Sequence, residues 1–199
     1  MLAAIMRLQL IAGLALTGCG SSNANAVDAA ASQDGAAQDG GPASGMVLTS
    51  PAFTEGGTVP TVNTCDGANT SPVLSWTGAP AGTQSFAVVL TDLTIAMAHW
   101  VIYDIPASAT GLPAAIENTS SPTSVPGARQ IVSIHSPVIG FYGPCPPKGD
   151  QPHSYQFAVY ALDVAALPGV SAQSTRPDAV AEIQTHRLDG GTLTGMLGR

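Results

Sequence analysis

The sequence predicts a mainly β, single-domain protein with one helix near its C-terminus, and three observations carry that prediction. Strand-like apolar runs recur at short spacing, clusters of Pro, Gly, Asn and Thr separate them, and one late stretch has helix start and stop signals. The run Val73–Thr77 is the first clear strand. Ser85–Asp92 (SFAVVLTD) is the second. His99–Ile105 (HWVIYDI) is apolar on both alternating faces, which predicts a central strand. Ser154–Asp163 (SYQFAVYALD) is of the same type. The helix signals are Pro177 at a first helical position, Asp178 in the first turn, and Gly190-Gly191 beyond the end. Ala179 and Ile183, with His186 as a further candidate, would share its buried face. Gly191–Gly198 reads as a last strand.

The N-terminus reads as a processing segment. Arg7 precedes the apolar run Leu8–Leu16, which ends in Leu16-Thr17-Gly18-Cys19. That run is too short to cross a bilayer but suits a signal-peptide core. A small residue before a Cys at this point resembles the bacterial lipoprotein signal, which implies cleavage after residue 18 and lipidation at Cys19. Lipidation would anchor the chain to a membrane. Gly20 follows the Cys where an Asp would suggest inner-membrane retention, so the expected address is the outer membrane, facing periplasm or cell surface. Residues 19–45 are small and polar, without one aromatic. They cannot bury enough apolar surface to fold and are expected to act as a flexible tether. The globular domain is expected over 46–199.

Charge excludes one class of partner. The formal net charge is −7, and the six basic residues are scattered singly, so no patch is available to neutralise nucleic-acid phosphates. Export also bears on the cysteines. With Cys19 lipidated, Cys65 and Cys145 remain as an even pair in an oxidising compartment. They either form a disulfide or stay as two buried thiols; sequence leaves both open.

The chemistry-bearing residues are few. There is no G-x-S-x-G, no H-E-x-x-H, no C-x-x-C and no P-loop. Between Gly140 and Asp150 the chain is dense in Gly and Pro, and it delivers His153 and Tyr155 into the start of a strand. Such stiffness suits a loop that holds polar groups at fixed positions. Asp92 ends one strand, His99 opens the next, and Asp66 sits in a Cys-Asp-Gly turn. If these strand ends converge, imidazole and phenol donors, with backbone N–H groups of the Gly143 loop, would suit a small oxyanion.

These same residues carry a resemblance to the phosphatidylethanolamine-binding protein family, in its bacterial Raf-kinase-inhibitor-like branch. The matching blocks run in order. They are Ser50-Pro51-Ala52-Phe53; Thr64-Cys65-Asp66-Gly67 with Asn69, Ser71-Pro72, Leu74 and Trp76; Thr91-Asp92; His99-Trp100-Val101; Tyr142-Gly143-Pro144-Cys145-Pro146-Pro147; His153, Tyr155; and Tyr160-Ala161-Leu162-Asp163. The resemblance implies a large antiparallel sheet packed on a smaller one, with peripheral helices. It also implies an anion or phosphate head-group pocket at Asp92, His99, Gly143, His153 and Tyr155, with Asp66 near it. Two departures stand out. The family's Asp-Pro-Asp-x-Pro turn is here Asp92-Leu93-Thr94-Ile95-Ala96, without the second carboxylate or either proline, which predicts a looser rim. Arg129–Ile139 diverges too, and His135 within it reads as a surface residue.

The expected function is a membrane-anchored, non-catalytic lipoprotein that binds a small anionic or phosphorylated ligand, with no cofactor and no metal. Two alternatives stand beside it. One is a partner-binding inhibitor of a periplasmic hydrolase. The other is a metal-dependent hydrolase using His99, His153, Asp92 and Asp66.

Overall fold

The computed structural model describes residues 45–135 and 137–199. The lipoprotein signal, Cys19 and the expected tether lie outside the described residues. Eight strands and one α-helix follow in order: β1 Val47–Thr49, β2 Leu74–Thr77, β3 Ser85–Asp92, β4 Met97–Pro106, β5 Gly111–Leu112, β6 Arg129–Gln130, β7 His153–Leu162, α1 Arg176–Thr185 and β8 Arg187–Leu197. They form two antiparallel sheets, ordered β1-β2-β5 and β6-β4-β3-β7-β8.

The core explains the patterning. β3 is buried on both faces, so it reads as an unbroken apolar run. Phe86, Val88 and Leu90 face the small sheet and pack with Leu48, Leu74, Trp76, Trp100 and Phe157. Ala87 and Val89 face the other way, toward Ala179 and Ile183 of the helix. Thr175 caps that helix by accepting the Asp178 N–H at 3.3 Å, and Pro177 follows in the first turn.

Three expectations need correction. The strand containing His99 is not central: β3 is, and only the two-residue β6 covers the outer edge of β4. Its doubly buried pattern comes from the loops and helix packed on it. His186 does not join the helix's buried face. It caps the C-terminus, with Nδ1 2.8 Å from Asp163 and Nε2 3.3 Å from Glu182. Gly190 and Gly191 lie inside β8, opposite Tyr160 and Val159, and do not punctuate the helix end. A Cβ at Gly191 would meet the Met46 carbonyl, so the small residue there admits the chain leading into β1.

Candidate functional site

One irregularity places the first histidine. In the β3–β4 ladder Leu90 pairs with Trp100 and Thr91 with Ala98, so His99 is the surplus residue of a β-bulge. A bulge turns one side chain away from regular alternation, here into the end of the large sheet. His99 is buried, and its Nδ1 lies 3.2 Å from the Gly143 carbonyl oxygen. A carbonyl only accepts, so Nδ1 carries the proton and Nε2 is left over. Burial holds the His99 pKa below its ordinary value, partly opposed by that carbonyl.

The second histidine comes from β7. His153 Nδ1 lies 2.7 Å from Asp92 Oδ2, and both residues are buried. The other Asp92 oxygen accepts the Thr94 N–H at 2.9 Å. Both carboxylate oxygens are therefore occupied from within the protein. His153 Nε2 lies 3.8 Å from Asp150 Oδ2, beyond hydrogen-bond reach.

Tyr155 sits behind the two imidazoles. Its ring meets His99 edge-on at 5.5 Å and lies nearly parallel to His153 at 6.2 Å. It is fully buried, and its hydroxyl accepts the Cys145 N–H at 3.3 Å. Burial, then the Asp92 charge, raise its pKa above the usual phenol value. Its place is structural backing for the histidines, not the cavity wall.

The Gly140–Asp150 loop closes the site and is strapped down from below. Cys65 and Cys145 are disulfide-bonded, with Cα atoms 5.4 Å apart. The Gly143 N–H donates to Asn69 Oδ1 at 2.8 Å, and Cys65 N–H to the Pro144 carbonyl at 3.1 Å. A Cβ on Gly143 would collide with the Asn63 carbonyl, so only glycine permits this approach. These bonds also correct an expectation. The Gly143 and Cys145 amides are spent on Asn69 and Tyr155, so they are not offered to an anion.

Asp66 is placed differently from the rest. Both its oxygens are gripped by Arg199, at 2.6 and 2.7 Å, and this pairing lowers its pKa. Arg199 Nη1 continues to the Pro146 carbonyl at 3.0 Å and to Cys145 Sγ at 3.2 Å. Asp66 thus braces the loop from outside and does not line the cavity.

The cavity itself holds about 170 Å³, with Asp92, His99 and His153 among its walls. Ile95, Ile134, His135, Tyr142, Cys145, Pro146 and Pro147 complete it. The volume suits a phosphate- or acetate-sized group and is too small for a drug-sized ligand. Larger cavities exist, one of about 450 Å³ beside Leu48 and Phe53, but they lack two buried imidazoles. Convergent buried polar groups, not size, single out this site. Among the described residues no three His, Cys, Asp or Glu side chains are grouped as metal ligands.

His135 and Tyr142 were legible only in part. His135 is exposed, yet its ring lies 4.1 Å from that of Tyr142 on the cavity wall. Ile134 arrives there because its N–H bonds the His99 carbonyl at 3.1 Å. No sequence signal marks that approach. The expected looseness of the Asp92–Ala96 turn is not found. Thr94 Oγ1 accepts the Ser154 N–H at 3.0 Å and Leu93 N–H reaches the Ser154 carbonyl at 2.8 Å. Side-chain and backbone bonds replace the missing prolines.

The fold sets two buried histidines and a carboxylate around one small cavity at the strand ends of a two-sheet β protein. The phosphatidylethanolamine-binding protein family model matches residues 49–198, and the chain belongs to that family. The chain is similar to YbcL of Escherichia coli, 42% identical over 111 residues, 52% of this chain and 58% of that relative's length. The E. coli YbcL crystal structure, described as a new member of the mammalian PEBP family, superposes with a TM-score of 0.67 at 32% identity. That match covers 77% of this chain and 98% of the other. A second relative, LppC of Mycobacterium tuberculosis, is named as a lipoprotein. It is 34% identical over 143 residues, 69% of this chain and 66% of its own length.

Proposed function

We propose that this chain is a membrane-anchored, non-catalytic lipoprotein whose cavity binds a small anion or phosphorylated head group. One observation carries the reading. Two buried imidazoles, each with Nδ1 already committed, line one small cavity, and their Nε2 atoms remain for a ligand. A protonated Nε2 donates to an oxyanion. Both Asp92 oxygens are engaged within the protein, so neither competes for the two Nε2 atoms. The lipoprotein name of LppC and the Leu16–Cys19 motif support anchoring at Cys19.

Calorimetric titration with inorganic phosphate and phosphoethanolamine tests the reading. The expected result is weak binding that His153→Ala weakens at least tenfold. No heat from either probe, with the protein folded, would overturn it.

A further inference from the structure

The tip of the β3–β4 hairpin is unusual. Leu93, Ile95 and Met97 are 45%, 51% and 39% exposed, three large apolar side chains within five residues. From Leu93 to Tyr103 the chain carries no Lys, Arg, Asp or Glu. An apolar projection of this kind marks an interaction site.

We propose that this tip inserts into the interfacial region of a lipid bilayer and seats the cavity mouth on the membrane. Three further observations favour lipid over a protein partner. First, two of the tip's backbone N–H groups are satisfied from within: Leu93 N–H by the Ser154 carbonyl and Thr94 N–H by Asp92 Oδ1. Such groups must be paired internally to enter an apolar medium. Second, Ile95 belongs to the cavity wall, and Ala96 and Met97 line a neighbouring cavity that also holds Arg176. The apolar tip therefore lies between the cavity of the two histidines and one that holds a cation. Third, residues 19–45 span at most about 90 Å when extended, which keeps a bilayer anchored at Cys19 within reach of the domain. The acidic group on this rim is Asp150, half exposed beside His153, and it opposes anionic lipid. The inference rests on the anchored reading only for what brings the bilayer near.

The test is a depth measurement on the full chain. Trp76 and Trp100 are buried, so a tip tryptophan reports separately. Leu93→Trp is titrated with phosphatidylethanolamine–phosphatidylglycerol vesicles carrying brominated acyl chains. Leu188→Trp, also exposed but at the opposite end of the β7–β8 ladder, is the control. The expected result is a blue shift and at least twofold quenching for Leu93→Trp alone. Adding Ile95→Ser and Met97→Ser should raise the lipid concentration needed about tenfold or more. No quenching at Leu93→Trp, or equal quenching at both positions, overturns the proposal. Mass analysis of the N-terminus reads anchoring separately, and phosphate titration reads the cavity, so failure of either is distinguishable from failure of the tip.

Discussion

His153 Nδ1 lies 2.7 Å from Asp92 Oδ2, although the residue directly across the ladder from Asp92 is Tyr155. The pair is diagonal, two residues off register, and both members are buried. It fixes which nitrogen of His153 carries the proton and leaves Tyr155 free to back both histidines.

Removing one partner strands the other. His153→Ala leaves a buried carboxylate oxygen without its donor, at a cost of about 2–4 kcal/mol. His153→Gln, which keeps an N–H near Asp92, should cost about 1 kcal/mol. Urea unfolding of the two variants checks this, and equal midpoints would show that the pair contributes nothing.

The burial of His99 makes anion binding proton-linked. Its folded pKa lies below the ordinary value, so the unfolded chain binds more protons and stability falls as pH drops through the ordinary histidine range. A bound anion favours the imidazolium and opposes that shift. Affinity should therefore rise as pH falls, then level once His99 is protonated without ligand. Sulfate, which does not titrate here, is the probe. A His99→Gln variant should flatten the profile, and an unchanged slope would place the proton elsewhere.

The disulfide joins residues 80 apart. In the chain-entropy model closure of such a loop is worth about 4.5 kcal/mol. Cys65→Ala with Cys145→Ala should lose a large part of that in a denaturant melt. Phosphate affinity should fall as well, because Cys145 is a cavity wall.

Anchoring should depend on one residue. Cys19→Ala in the full chain should abolish lipid attachment, read by mass spectrometry of the N-terminus and by release from the membrane fraction.

Much of the scaffold was legible. β3 is long and apolar on both faces, which a doubly covered strand explains, and β7 is long with one face fully buried. The two-residue β5 and β6 left no pattern, because they exist through pairing with distant strands. The start of α1 was readable from Pro177 and Asp178, but its end was not, since the following glycines serve β8 packing. Within the site, Asp92, His99 and His153 could be named from strand ends. Two facts could not: the Tyr155 hydroxyl accepts the Cys145 N–H, and Asp66 is claimed by Arg199. Both depend on contacts between residues that sequence spacing does not relate.

The bulge at His99 carries one more consequence. Ala98 belongs to the helix side of the sheet and Trp100 to the core between sheets, so they alternate correctly with His99 left out. Deleting that one residue would leave both packing layers in frame while erasing a wall of the cavity. The histidine is an addition to the strand's register, and what it holds beyond the strand are the Ile134 N–H and the Gly143 carbonyl of the cavity wall. Recognition and folding are therefore separable here by a single codon: a His99 deletion should melt as a cooperative unit yet show no heat with phosphate.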